Sequence, residues 1–147
     1  MKKVHIYKIG QTTMAILPVS HVEFRSKILD VCGEFYSKKT PIQLVKEACS
    51  NDGCSYEGKR DSIISSFGFT QKTPIPVRPG ELLYAFPTTS PEQFECMWIF
   101  VHQVHSIAAN PTDKNSTMIF FHNHVHMNIN ASVYTTRRQP ELTHEKV

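Results

Sequence analysis

Short apolar runs separated by turn residues make up most of the chain. Residues 13–17 form one such run, which ends at Pro18, a residue that cannot donate a hydrogen bond within a sheet. The runs 27–31 and 34–36 flank Gly33, which can supply the backbone angles of a tight hairpin turn. We therefore predict short antiparallel strands joined by hairpins, with further strands at 4–9, 82–86, 97–101, 117–121 and 125–129.

One segment carries clear helix signals. Thr40 suits the N-cap position, Pro41 suits the first helical position, and Gln43 completes the spacing of a capping box. An apolar stripe follows at helical spacing, and it consists of Leu44, Val45, Ala48 and Cys49. The sequence Asn-Asp-Gly at 51–53 tolerates left-handed backbone geometry, so we predict that one helix spans about residues 41–50.

Two other stretches have weaker patterns. Residues 62–69 fit either a strand or a short turn of helix, and residues 131–137 fit a closing helical turn. Together with the strands and the helix, they predict an α+β fold that is mostly β.

The composition is that of an ordinary globular protein, with 40% apolar and 20% charged residues. We expect one domain over residues 1–138, followed by a polar tail over 139–147. The N-terminus lacks the apolar run of a signal peptide, and no window approaches the ~20 apolar residues of a membrane span, so a cytoplasmic protein is expected. In that compartment the four cysteines should be thiols, and Cys49 and Cys54 lack the spacing of a zinc knuckle.

The net charge of +3 permits nucleic-acid binding but does not by itself indicate it. The basic residues are clustered next to the predicted helix, in predicted loops and at the end of the last predicted element, at Lys38, Lys39, Lys59, Arg60, Lys72, Arg78, Lys114, Arg137 and Arg138. Lysines and arginines at such places can contact DNA phosphates, and the amides of the helix start can add donors. The arginines could also enter the narrow minor groove of A·T-rich DNA. The alternative is an ordinary solvated surface.

The histidines at 122, 124 and 126 are the strongest metal-site candidate. On a continuous strand their imidazoles would share one face and neighbouring rings could share a metal ion. The alternative is a hairpin turn at Asn123-His124, which would splay the rings apart. The chain contains no G-x-S-x-G, Walker or H-E-x-x-H motif, so we do not predict an enzyme.

Several segments, taken in order and spacing, resemble the ComK family of competence transcription factors. They are the runs 13–18, 39–45, 48–49, 53–60, 72–77, 85–88 and 96–99, followed by His102 and His105. The resemblance extends from about Thr13 to about Arg138, which is most of the chain.

The resemblance implies a cytoplasmic activator that binds A·T-rich boxes in double-stranded DNA, acts as a homo-oligomer and turns on genes for DNA uptake. It also leaves a protease adaptor or RNA polymerase as further partners, and it requires no membrane, metal or cofactor. Carried over by motif, the positions nearest the DNA or its supporting loop are Ser55, Tyr56, Gly58, Lys59 and Arg60. The full predicted DNA-binding set is Lys38, Lys39, Tyr56, Lys59, Arg60, Lys72, Arg78, Arg137 and Arg138.

Two departures from the family pattern keep alternatives open. The family usually continues beyond the point that matches Arg138, so this chain reads as a short or C-terminally truncated member. The histidine turn at 122–126 also differs from the expected Asn-Gly type of hairpin. The first alternative is an interaction module that pairs with a full-length regulator or a protease adaptor. The second is a metal-dependent enzyme that uses the three histidines of that turn.

The order strand–strand–helix–strands is also analogous to that of the LytTR-type DNA-binding domain, a mostly β fold whose loops contact DNA. This is a likeness of fold, and it is a weaker argument than the match of motifs.

Overall fold

A computed structural model of the chain describes residues 6–68 and 73–130, together with the backbone of residues 2–3. Among these residues the fold is mostly β, with two helices, as the α+β prediction required. The helices are α1 (Pro41–Asn51) and α2 (Tyr56–Phe67). The strands are β1 (Lys2–Lys3), β2 (Thr13–Pro18), β3 (Ser26–Asp30), β4 (Gly33–Ser37), β5 (Ile75–Arg78), β6 (Leu83–Pro87), β7 (Trp98–Phe100), β8 (Val104–Asn110), β9 (Asp113–Phe121) and β10 (His126–Ile129).

The strands form two sheets. The larger sheet has seven strands in the order β1-β4-β3-β2-β7-β6-β5, and the smaller has three in the order β10-β9-β8. Neighbouring strands are antiparallel except β1 and β4, which are parallel. Strand β2 joins the two halves of the larger sheet, because Ala15 pairs with Ile99 and Ile16 pairs with Trp98.

Alternating side chains of the larger sheet supply two separate cores. On β7, Trp98 and Phe100 pack with the helices on one face, whereas Ile99 packs with the three-stranded sheet on the other. The helix-side core includes Leu44 of α1 and Tyr56 of α2. The molecule is therefore built in three layers: helices, seven-stranded sheet and three-stranded sheet.

Helix α1 begins and ends where the sequence predicts. The amide of Gln43 donates to Thr40 Oγ1 at 3.3 Å, and the amide of Thr40 donates to Gln43 Oε1 at 2.8 Å, which completes the capping box. Asp52 is the C-cap, and Gly53 follows with a φ of +90°. The buried face contains Pro41, Leu44, Val45, Ala48 and Cys49.

Helix α2 corrects the prediction of a single helix. Residues 56–60, which the sequence left outside the single predicted helix, form its first turns, and residues 62–67, which were ambiguous, continue it. Ser55 Oγ caps the start by accepting from the amide of Gly58 at 3.0 Å. Gly68 ends the helix in the left-handed conformation, with a φ of +75°.

Other strand predictions differ in detail. The described residues 6–10 are not a strand, and the N-terminal strand is instead β1 at Lys2–Lys3. The β3–β4 hairpin is confirmed, with Gly33 at a φ of +134°. The segment predicted at 131–137 and the tail at 139–147 lie outside the described residues. Within the described part of the chain, no helix combines the length and apolar character needed to cross a membrane.

Candidate nucleic-acid interface

Lys59, a predicted phosphate contact, is buried. Its side chain is 6% exposed, and its ammonium donates to Asp52 Oδ2 at 2.7 Å and to the carbonyls of Pro76 and Val77 at 2.9 Å each. A lysine ammonium has three protons, and each of these acceptors takes one. Lys59 is therefore occupied inside the fold, and we remove it from the set of predicted DNA contacts.

Tyr56 also lies in the core rather than on a DNA-facing loop. Its ring packs edge-on against Trp98, with 6.2 Å between the ring centroids. Burial raises the pKa of the Tyr56 hydroxyl to about 12, partly offset by the positive charge of Arg60. The first residue of α2 is thus a packing residue, because the turn after α1 directs its ring toward the sheet.

Arg60 and Arg78 remain partly exposed, but both have partners. A guanidinium nitrogen of Arg60 lies 4.0 Å from Asp61 Oδ1. Arg78 donates to the carbonyl of Ile9 at 3.0 Å and forms an ion pair of 3.6 Å with Glu81. Arg78 thereby fastens the segment before β2 to the end of β5, which limits its reach toward a ligand.

Lys38 and Lys39 lie in the turn between β4 and α1. Lys38 is exposed and forms no ion pair with any residue that the structure describes. Lys39 forms an ion pair with Glu47 of α1, so part of its charge is compensated. The remaining predicted residues, Lys72, Arg137 and Arg138, lie outside the described residues.

The structure adds Arg25, which the sequence did not single out. Its amide donates to the carbonyl of Ser37 at 2.9 Å, and Lys38 follows Ser37 directly. The Arg25 side chain is exposed and forms no ion pair within residues 6–68 and 73–130. Arg25, Lys38 and Lys39 thus share the open end of the β3–β4 hairpin, and we call them the basic corner. The pairing register of the β3–β4 hairpin brings Arg25 and Lys38 together, because they flank the paired residues Ser26 and Ser37. That register is the signal that could have identified Arg25.

The start of α1 offers fewer donors than the sequence suggested. The amides of Thr40 and Gln43 are used by the capping box, and Pro41 has no amide hydrogen. The helix terminus therefore adds little to the positive potential of the basic corner, which comes from its side chains.

Of the three histidines, His122 and His124 lie at a turn, as the alternative prediction stated, whereas His126 is the first residue of β10. The amide of His124 donates to the carbonyl of Phe121 at 3.1 Å, and His124 rather than Asn123 takes the positive φ, at +72°. His122 instead approaches His105 of β8, with 5.4 Å between the ring centroids. Over the described residues, no group of three or more His, Cys, Asp or Glu side chains is arranged to hold a metal ion.

His102 has a structural contact of its own. Its Nε2–H donates to the carbonyl of Gln11 at 2.6 Å. Burial lowers the pKa of His102, and the hydrogen bond to Gln11 opposes that shift. The side chain joins the turn after β7 to the turn before β2, a role independent of the basic corner.

Two comparisons with known proteins identify relatives of the chain. A family model described as "ComK protein" matches residues 4–145. A protein of Bacillus subtilis (strain 168) described as a competence transcription factor is 30% identical over 118 residues. The matched region covers 80% of this chain and 60% of that relative, so the chain spans about 60% of the relative's length. No solved structure matches significantly, and the analogy to the LytTR-type domain stays a prediction.

Proposed function

The chain belongs to the ComK family, and from this premise we propose that it regulates transcription of competence genes by binding A·T-rich DNA. The observation that carries the proposal is the family match over residues 4–145. The name of the relative in Bacillus subtilis, a competence transcription factor, supplies the process. We propose further that the protein acts in the cytoplasm as a homo-oligomer, with a protease adaptor or RNA polymerase as additional partners.

The basic corner is the part of the described surface that best suits a phosphate backbone. Arg25 and Lys38 are exposed and without ion pairs among the described residues, so their charges are available to phosphates at little desolvation cost. Lys39 can join them if a phosphate competes with Glu47 for its ammonium. Lys72, Arg137 and Arg138 remain in the proposed interface on sequence grounds, with Arg60 and Arg78 as weaker candidates.

Salt-dependent binding tests the basic corner. Affinity for an A·T-rich duplex and for a G·C-rich duplex of equal length is measured by gel shift at several salt concentrations. The slope of log affinity against log salt is negative for a protein that binds phosphates. Each of Arg25→Ala and Lys38→Ala should make this slope less steep by ~1, because each removes one phosphate contact. Loss of a phosphate contact should weaken binding to both duplexes about equally.

Lys114→Ala is the matched control. Lys114 is exposed on β9 and has no ion pair among the described residues, so this change removes the same charge from the three-stranded sheet. It should leave the slope unchanged. A wild-type slope in the double variant of Arg25 and Lys38 would remove the basic corner from the interface. Absence of any retardation at low salt would contradict DNA binding itself and favour the interaction-module alternative.

A further inference from the structure

A cleft opens between the start of α1 and the loop that joins β6 to β7. Its volume is about 200 Å³. Pro41 and Ile42 lie on the α1 side, Phe94 lies on the loop side, and Trp98 of β7 also lines the cleft. Pockets that enclose small-molecule ligands start at about 300 Å³, so the size of this cleft suits one or two side chains rather than a cofactor.

The loop presents an exposed aromatic ring beside the cleft, and its backbone is hydrogen-bonded. Phe94 is 66% exposed. The amide of Thr88 donates to the carbonyl of Met97 at 2.9 Å, which joins the ends of the loop. Between them, the amide of Cys96 donates to the carbonyl of Gln93 at 3.2 Å. An exposed aromatic side chain on such a loop, next to a mostly apolar cleft, is typical of a protein-binding surface.

Two exposed side chains of opposite charge line the cleft, and neither forms an ion pair with a residue that the structure describes. Arg25 adjoins the α1 side, because its amide donates to the carbonyl of Ser37 at the end of β4, where the chain turns toward α1. Glu92 belongs to the loop side. The mouth of the cleft thus carries a positive charge on one side and a negative charge on the other.

Glu92 keeps its negative charge near neutral pH. The Ser90 hydroxyl donates a hydrogen bond to its carboxylate and lowers the pKa of Glu92, and the positive charge of Arg60 acts in the same direction. Among the described residues, the ion-pair partner of Arg60 is Asp61, at 4.0 Å, and not Glu92. The Glu92 carboxylate is therefore open to a cation from another molecule.

This pair of charges narrows the choice of partner. Glu92 repels phosphates and acidic peptides, and Arg25 repels basic peptides. A partner that suits both must present a cation and an anion in the inverted order, beside an apolar side chain. A second copy of this chain has that arrangement, because a twofold axis across the mouth of the cleft exchanges its two sides and brings each Arg25 opposite the partner's Glu92.

We propose that the cleft is one half of a symmetric dimer interface. Each Phe94 enters the partner's cleft against the partner's Ile42, and each Arg25 pairs with the partner's Glu92. The dimer rests on the proposed function, in which the chain acts as a homo-oligomer, and it assigns the interface of that oligomer. The Arg25 guanidinium has five donors, so a carboxylate on one edge leaves others for a phosphate, and Arg25 still serves the basic corner.

The mass of the protein in solution, measured without DNA, tests this interface. Sedimentation velocity is recorded from about 1 to about 300 µM, a range suited to an interface with one anchoring side chain on each copy. We expect a reversible rise from the mass of one chain toward that of two, because a contact that uses the same surface on both copies closes at a dimer. Phe94→Ser should raise the dissociation constant of the dimer at least about tenfold, since each dimer loses two anchoring rings.

Charge reversal tests the pairing of Arg25 with Glu92. Arg25→Glu and Glu92→Arg should each weaken the dimer at least about tenfold, because each places two like-charged pairs in the interface. An equimolar mixture of the two single variants should form a heterodimer, in which both pairs are again of opposite sign. The double variant Arg25→Glu/Glu92→Arg should recover the homodimer. This recovery distinguishes twofold pairing from a general effect of charge.

Two changes on the three-stranded sheet are the matched controls. Val125→Ser removes an exposed apolar side chain from the β9–β10 turn, and Lys114→Glu reverses an exposed charge on β9. Neither should change the dissociation constant of the dimer. Lys38→Ala should also leave it unchanged, while it makes the salt slope of DNA binding less steep. The dimer interface and the DNA contacts are thereby measured separately.

A wild-type chain that stays monomeric over this range would overturn both the interface and the proposed homo-oligomer, while the gel shift still decides DNA binding. If Phe94→Ser then weakened binding to the A·T-rich duplex, the cleft would belong to the nucleic-acid interface instead.

A wild-type dimer that Phe94→Ser does not weaken would overturn the interface alone and leave the homo-oligomer to another surface. Charge-reversed variants that weaken the dimer but do not associate on mixing would overturn the pairing of Arg25 with Glu92, and with it the symmetric arrangement.

Discussion

At the scale of single residues, Lys59 is a basic side chain whose charge is buried and hydrogen-bonded inside the fold. The ammonium donates one hydrogen bond to the carboxylate of Asp52 at the end of α1 and two to the carbonyls of Pro76 and Val77 in β5. Lys59 itself belongs to α2. One side chain therefore connects both helices to the edge strand of the larger sheet. A buried charge is tolerated when its hydrogen bonds are complete, and removing one partner leaves the others unsatisfied.

We predict that Lys59→Met lowers the free energy of unfolding by about 2–4 kcal/mol. Methionine keeps the length of the side chain but leaves the carbonyls of Pro76 and Val77 and the Asp52 carboxylate without their donor. Urea unfolding followed by far-UV circular dichroism measures the change.

Lys46→Met is the control for that experiment. Lys46 is half-exposed, pairs with Glu57 at 3.3 Å and lies over the ring of Tyr56. Because this pair is solvated, its loss should cost less than about 1 kcal/mol. Equal costs for the two variants would show that burial gives Lys59 no special role. A lower salt slope of DNA binding in Lys59→Met, with stability unchanged, would return Lys59 to the interface.

The sequence could predict which residues are basic, but it could not predict which of them are free. Lys38 and Lys59 look alike in sequence, since each lies near a helix terminus beside a second basic residue. Their difference comes from acceptors 17 and 18 residues beyond Lys59, which are carbonyls and leave no mark on the side-chain pattern. Arg25 was missed because it lies beside Lys38 only through the pairing of β3 with β4, which is also a backbone contact that the side-chain pattern does not reveal.

At the scale of elements, the two helices differ in how clearly the sequence marks them. Helix α1 has a capping box and five buried residues on one face, so local signals suffice. Helix α2 buries only Tyr56 and Lys59 among its described side chains, so it has no apolar stripe that a periodicity argument could detect. Its start is marked by Ser55 and its end by Gly68, and both signals are weak without the stripe between them.

We predict that Thr40→Ala lowers the free energy of unfolding by about 1 kcal/mol, the usual loss for an N-cap. The Thr40 hydroxyl accepts from the amide of Gln43, which would lose that partner. Ser50→Ala in the same helix is the control, because Ser50 is exposed and alanine is at least as favourable in a helix. A cost for Thr40→Ala no larger than that for Ser50→Ala in thermal melts would contradict the capping role.

At the scale of the whole molecule, the central sheet could not be assembled from the sequence. The β3–β4 hairpin and the predicted strands that correspond to β2, β6, β7, β9 and β10 follow from local signals, and the structure confirms them, whereas the described part of the strand predicted at 4–9 is not a strand. The pairing of Ile16 in β2 with Trp98 in β7 joins residues far apart in the chain, and no local pattern specifies it. This pairing makes β7 a strand with one core on each face, which couples the helices to the three-stranded sheet.

That coupling predicts a single cooperative unfolding transition. Ile119→Ala in β9 should lower the free energy of unfolding by about 2–5 kcal/mol, because Ile119 is fully buried in the core between the two sheets. Trp98 lies in the other core, yet its fluorescence and the far-UV circular dichroism should still shift together, since both cores share β7. Met118→Ala is the control. Met118 directly precedes Ile119 on β9 and is only partly buried, so this change should lower the free energy of unfolding by less than Ile119→Ala does. If the fluorescence of Trp98 kept its wild-type midpoint in Ile119→Ala while the circular dichroism signal shifted, the two cores would unfold independently.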